Sequence, residues 1–425
     1  MTYAAIMSIS LVVNLPGLAV TPMLGTLSKI FPDTSQLEKQ LLTVLPNLLI
    51  IPFVLFSGKL SMSKHKISIV VGGLILFAAC SVWYLFASSM TQLIIISCLL
   101  GCGAGLLIPF STGLIADTFS GKYRMSQMGL QSGISNSALV VATFAVGWLS
   151  HGNWHLPFAV YLVCLIPLAL TWWLKTIPAS DTGLQPASAA TSAADTRPQA
   201  QASTKEASTD VKATAPSAGI AEMPKSKDGF YVNRIIALFG VYFFITFASI
   251  SISYYCPFLI EKEHWSASIT GTVTAIYFLF ILIPGYALPY ILKYLRGYTF
   301  FWGAVSMLIG LALFAFVPGD ATMCVGAALA GFGYGLGQPL LYDKASLAVS
   351  SETKATMSLA IVLSANYTAI VLSPFIIDGL RVLFHAQHMT TFAFLVSFIL
   401  LIGYTVITYL WRKRFAFSIS KSYYE

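Results

Sequence analysis

Charge is what this 425-residue sequence has least of: Asp, Glu, Lys and Arg make up 9% of it, against roughly 25% in an ordinary soluble domain. Acids are the scarcer sign, 16 against 24 Lys and Arg. A water-soluble globule cannot cover its surface from so small a stock. Cysteine is sparse too. Cys80, Cys98, Cys102, Cys164, Cys256 and Cys324 lie inside apolar runs, and only Cys98 and Cys102 share a helix face. No His or acid joins those two, so they read as packing residues and not as a metal or redox centre. No His-Glu-x-x-His run, nucleophile elbow or P-loop occurs, and the Gly-x-Gly patterns have no strand ahead of them. Enzyme chemistry and ATP-driven work therefore lack their residues, and nothing calls for a cofactor. The opening residues carry no basic region and no small-residue cleavage site, so the first apolar stretch is expected to be retained.

What the sequence does have is apolar length. Hydrophobic residues make up 57%, in windows of about 20 residues, each long enough to cross roughly 30 Å of hydrocarbon as a helix. The alternation of a membrane barrel is absent, so helices are expected. Twelve spans are predicted, at 4–30, 39–56, 67–87, 91–116, 128–150, 154–174, 234–260, 269–292, 298–317, 323–347, 357–380 and 390–411, with 31–38 as the first turn. Between the sixth and seventh, 176–228 turns to Ala, Ser, Thr and Pro with scattered charge. Such a composition has no apolar face to bury and predicts a disordered linker. The division is then 1–175, a six-helix bundle; 176–228, the linker; 229–415, a second six-helix bundle; and 416–425, a tail.

An even number of spans puts both termini and the linker on one side. That side collects 20 of the 24 Lys and Arg, and only Lys29, Lys39, Lys262 and Arg381 fall on the other. The bias marks the side of the termini as cytoplasmic, and it explains the net charge of +8 without a nucleic-acid partner.

The two predicted bundles share a pattern. Gly101, Gly103, Gly105, Leu106 and Pro109 recur as Gly331, Gly333, Gly335, Leu336 and Pro339, and Ser120, Arg124, Asn136 and Val141 fall on Ser350, Lys354, Asn366 and Val371. Glycines so spaced strip a helix patch of side chains and predict close helix packing. Weak symmetry between halves is a mark of secondary transporters, whose substrate sites lie near the midplane between repeats.

Polar side chains within spans are costly in hydrocarbon, which makes Asn14, Asn47, Gln131, Asn136, Gln338, Asn366 and Tyr367 candidates for a substrate pathway. Asn136 and Asn366 lead, because the repeat sets them at matching depth. The competing reading is an interhelical hydrogen bond that only holds helices together. The seventh span adds Tyr242, Thr246, Ser249, Ser251, Ser253, Tyr254 and Tyr255 before Pro257, a stretch suited to ligand contact, with Tyr254 the candidate, or to plain packing through hydroxyl-to-backbone bonds. Asp343 and Lys344 are sequence neighbours and face apart on a helix. Each needs another partner, either in a gate or proton site or at the membrane interface. Asp378 and Arg381 are expected to pair locally, and Asp117 to form a loop salt bridge with Lys122 or Arg124.

This pattern resembles the major facilitator superfamily, and more closely its bacterial drug-efflux branch, in Pro22 to Pro32, Thr43 to Gly58 and Trp154 to Phe158. In the family's signature turn after the second span, Gly58, Leu60 and Lys66 match, while Met62 replaces an aspartate and His65 a glycine. Leu93, Gly101, Gly103 and Ala104 fit the antiporter motif of the fourth span, but Ser97 stands in place of its arginine. The fifth span, Gly129 to Ser150, has no proline where antiporters carry a Gly-Pro motif. The charge lock of such proteins would have to come from elsewhere, with Asp343, Lys344, Asp117 and Arg124 as the candidates for coupling or gating. The resemblance implies a monomer in a bacterial cytoplasmic membrane that moves a small organic molecule by alternating access. Proton-coupled efflux of neutral or amphipathic compounds is the first expectation, since the first span lacks the acid that several multidrug relatives carry. Uptake or facilitated passage of a nutrient is the second, and a receptor or enzyme on the same helices the last.

Overall fold

The computed structural model describes residues 2–18, 27, 30–31, 36–61, 66–119, 121–149, 154–174, 229–262, 267–350, 354–386 and 388–423. The predicted linker 176–228, most of the stretch Pro22 to Pro32, and Met62 and His65 lie outside the described residues. Among the described residues, twelve helical segments follow one another. The first half holds α1 (Thr2–Ile9 and Leu15–Leu18), α2 (Gln36–Leu60), α3 (Lys66–Tyr84), α4 (Met90–Thr118), α5 (Gly121–Leu149) and α6, a 3-10 stretch Leu156–Cys164 running into Leu165–Leu174. The second holds α7 (Val232–Lys262), α8 (Ala267–Leu295), α9 (Thr299–Phe316), α10 (Asp320–Ser346), α11 (Ala355–Leu383) and α12 (Phe392–Leu410). Eight stretches among the described residues are long and apolar enough to cross a membrane, and one of them, Gly271–Phe316, holds both α8 and α9.

Local chemistry sets several of these boundaries. Gln92 donates its backbone N–H to the Ser89 hydroxyl, and its side-chain oxygen accepts from the Ser88 N–H at 2.9 Å, a reciprocal cap that starts α4. The helix of the first span is broken at residues 10–14, which the sequence reading had as continuous. Pro16 marks the break, because it has no N–H for the Val12 carbonyl, which accepts from the Leu15 N–H at 3.3 Å instead. The second helix begins at Gln36, earlier than the predicted Lys39, and takes in part of the predicted turn.

The repeated glycines account for the shared architecture. A Cβ on Gly101 would lie 2.6 Å from the Pro46 carbonyl oxygen, on Gly103 3.3 Å from that of Gly73, and on Gly105 3.0 Å from that of Ile50. Their counterparts Gly331, Gly333 and Gly335 abut the carbonyls of Tyr277, Gly303 and Ile281. Thus α4 packs on α2 and α3 as α10 packs on α8 and α9, backbone against backbone, and Gly73 and Gly303 occupy matching places. The fold is all-α, two pseudo-symmetric six-helix bundles. Large apolar side chains such as Val141, Phe144, Tyr290 and Phe375 are exposed on the outside, as they must be where lipid is the solvent.

The halves meet most closely toward the end that carries both termini. There a Cβ on Gly285 of α8 would lie 2.8 Å from the Gly133 nitrogen and 2.9 Å from the Gly129 oxygen of α5. Gly58 of α2 abuts Ala360 and Met357 of α11, and Gly113 of α4 abuts Thr356. Only glycine permits these approaches.

Candidate functional site

Halfway along the bundles, a cavity of about 70 Å³ lies between the two halves. Asn136 lines it from the midpoint of α5 and Asn366 from α11, so the repeat-related pair faces one cavity from opposite halves. Asn14, in the break of α1, and Asn47 of α2 join from the first half, and Gln338 and Tyr367 from the second. Thr246, Ser249 and Ser253 of α7 contribute hydroxyls. No Asp, Glu, Lys, Arg or His stands among the described lining residues.

Hydrogen bonds fix much of this wall. The Asn366 side-chain oxygen accepts from the Thr246 hydroxyl at 2.9 Å and from the Tyr334 hydroxyl at 3.1 Å. That leaves its amide N–H groups without a protein acceptor among the described residues. Asn136 donates to the Ser132 carbonyl at 2.8 Å. Ser132 in turn donates to the Gln338 side-chain oxygen at 2.7 Å, and Gln338 donates to the Tyr342 hydroxyl at 2.8 Å. Gln338 thereby bridges the halves, and both ends of its amide are engaged. The Tyr367 hydroxyl makes no hydrogen bond to a described residue.

Two candidates lie elsewhere. Gln131 is buried among Ser111 and Ser135, to whose hydroxyls its amide nitrogen donates at 3.4 Å, and Tyr254 is half-buried on α7. Neither is among the lining residues. A helix turns about 100° per residue, so with Ser253 facing the cavity its neighbour Tyr254 turns aside. Conversely, Tyr277 and Tyr334 line the cavity and were not singled out. The repeat carried the signal for one of them, since Tyr277 stands at the counterpart of Asn47.

On the side of the termini, Arg124 Nε and Asp343 Oδ1 are 3.0 Å apart, a salt bridge from one half to the other with the Asp343 side chain fully buried. The Tyr423 hydroxyl donates to Asp343 Oδ2 at 3.2 Å. Arg124, expected as a loop partner of Asp117, points into the gap between the halves instead. Asp117 stands half-buried near the end of α4. Lys344 faces away from Asp343, donates to the Ser418 hydroxyl at 3.2 Å and lies 5.0 Å from the Phe415 ring centroid. Asp378 and Arg381 pair at 3.5 Å on the exposed surface.

Ser97 is buried against the Tyr84 hydroxyl, with which it shares a hydrogen bond. The Ser97→Ala variant is expected to lose about 1 kcal/mol of stability, read as a lower midpoint of thermal unfolding in detergent, with transport retained. Loss of transport at unchanged stability would give Ser97 a coupling role instead.

The sequence model of the Major Facilitator Superfamily matches residues 2–374 of the chain. The chain belongs to the major facilitator superfamily. Its two halves enclose a cavity, and in secondary transporters built of such repeats the substrate site lies between the halves near the midplane. Over 129 residues it is 33% identical to the multidrug transporter protein MdtP of Bacillus subtilis (strain 168), a match covering 29% of this chain and 24% of that relative. The matched part is thus about a quarter of the relative's length. Among solved structures, the proton:xylose symporter XylE bound to 6-bromo-6-deoxy-D-glucose superposes with a TM-score of 0.70 at 14% identity, over 97% of this chain and 95% of that one. At that identity the likeness is one of fold.

Proposed function

We propose that this superfamily member exports neutral or amphipathic small organic molecules across a bacterial cytoplasmic membrane, driven by the proton gradient, as a monomer with both termini in the cytoplasm. The observation that carries the substrate class is the cavity lining: amides, hydroxyls, aromatic rings and aliphatic groups, with no acidic or basic side chain among the described residues. An organic cation entering it would shed water without meeting a counter-charge. A neutral ligand with a few donors and acceptors would find the Asn366 amide and the Tyr367 hydroxyl ready.

Export is supported by the 33% identity to a protein named as a multidrug transporter, and orientation by the excess of Lys and Arg on the side of the termini. In that orientation the Arg124–Asp343 pair and the Gly129–Gly285 contact close the cytoplasmic side. Proton coupling is assigned to Asp343. Asp343 is the buried acid of the closed gate, and a proton that neutralised it would dissolve its pair with Arg124 and release that side. A second reading, an uptake carrier or facilitator for a small nutrient, is favoured by the absence of a carboxylate from the cavity wall itself.

Reconstituted vesicles with an imposed proton gradient separate the two, because a facilitator ignores the gradient. In a thermal-shift screen, neutral amphipathic compounds are expected to raise the melting temperature, and stabilisation by organic cations alone would overturn the substrate class. Asn366→Ala is expected to weaken ligand binding about tenfold, the effect of one or two lost hydrogen bonds, measured as Kd by ligand-dependent tryptophan fluorescence. An unchanged Kd would remove Asn366 from the site.

A further inference from the structure

The chain does not leave the bundle after α12. Residues 411–423 fold back under the second half: Phe417 is buried, with its ring centroid 5.7 Å from that of Phe300 and 6.2 Å from that of Tyr404. Phe415 lies 4.4 Å from the Arg234 guanidinium, which also stacks on Tyr231 at 4.4 Å, and Ser418 accepts from Lys344. Ile419 is buried too. These contacts fasten the segment to the second bundle. Its last turn, Lys421–Tyr423, then reaches across to touch both α5 of the first half and α8 of the second. There the Tyr423 hydroxyl meets the charge pair that joins the halves, donating to Asp343 Oδ2 at 3.2 Å while Arg124 holds Oδ1 at 3.0 Å.

We propose that the C-terminal segment 411–423 is a latch on the termini-side gate, with Tyr423 as a positioning residue that holds Asp343 toward Arg124 and keeps the two halves together there. The bundles cannot separate on that side while the last turn rests on both of them, so each inward opening must lift it. Asp343 has two carboxylate oxygens, and with the side chain fully buried both need donors. Arg124 satisfies one and Tyr423 the other. Burial and the nearby carboxylate push the Tyr423 hydroxyl well above the usual phenol range, so it remains a donor throughout physiological pH. Phe415 and Phe417 set where the hydroxyl lies, and Lys344 serves as an anchor through Ser418.

The inference rests on the alternating-access reading but not on substrate identity, because its test is a distance. Spin labels at Lys59→Cys and Lys293→Cys, both exposed and on opposite halves near the terminus-bearing end, are placed in a variant lacking the six native cysteines. Their separation is measured by pulsed dipolar spectroscopy in lipid nanodiscs, without ligand. Tyr423→Phe removes one oxygen and nothing else, and it is expected to raise the ratio of long to short distances about tenfold, the effect of one hydrogen bond to a charged group. Phe417→Ala, which loosens the anchor, is expected to do the same, with both variants monodisperse in size-exclusion chromatography. A distance distribution unchanged by Tyr423→Phe overturns the latch, whatever Phe417→Ala does. If transport of every neutral compound failed while the distances shifted as stated, the substrate reading would fall and the latch would stand.

Discussion

Asp343→Ala is expected to lower gradient-driven flux by about two orders of magnitude or more. The carboxylate is fully buried and its Arg124 partner is 13% exposed in the side chain, so removing the acid strands a cation between the halves. Breaking a buried pair from one side costs about 3–5 kcal/mol, enough to shift the balance of the two transporter states by a factor of hundreds. The double variant Arg124→Leu with Asp343→Leu leaves no stranded charge and is expected to close normally, yet to pass substrate without regard to the proton gradient. Flux through Asp343→Asn separates the roles further. A residue that only pins the gate tolerates the amide in part, whereas a proton carrier does not. Flux by Asp343→Asn that is as gradient-driven as in the parent protein would end the assignment of the coupling proton to this residue.

The second large effect is expected at a position with no functional group at all. In Gly285→Val the new side chain would start within 3 Å of the Gly133 nitrogen and the Gly129 oxygen, a separation that real Cβ atoms do not reach, and backbone on both sides cannot swing away. The halves would be wedged apart on the side of the termini while each bundle stayed intact. Transport is expected to vanish, with the Lys59–Lys293 label distance fixed at its long value and the thermal midpoint within a few degrees of the parent. A variant that still showed the short distance would mean that α5 and α8 do not carry the closure. Gly333→Val, by contrast, falls inside one bundle against Gly303 and is expected to prevent folding.

How far the sequence alone carried can be followed residue by residue. The helical membrane fold was legible because the lack of charge and the length of the apolar runs leave few other solutions. The repeat was legible because backbone contacts need glycine at fixed places in both halves. Asn136 and Asn366 were found by combining the two, and they face one cavity. Tyr334 and Tyr277 were missed because a tyrosine in an apolar run looks like packing until its neighbours are known. The break in α1 was overlooked although Pro16 announced it, since a proline near a span end is common and only its partner carbonyl shows what it interrupts. Arg124 was offered, with Lys122, as a loop partner of Asp117 by nearness in the chain and also as a gate candidate, and Asp343, 219 residues away, is the group that folding brings to it. Nothing local to Tyr423 marks it out, because its role depends on a turn of chain closing across two bundles.

The uncharged wall of the cavity has a consequence for energetics. Moving one elementary charge through the whole membrane field is worth about 2.3 kcal/mol per 100 mV, and a lining of amides, hydroxyls and rings presents nothing for that field to pull on. On the proposed reading, a neutral compound held by the described lining residues therefore adds no charge of its own to the movement. A recording of charge displaced per turnover then reads the ions that travel with a neutral cargo together with the gate charges, Arg124 and Asp343, that move between states.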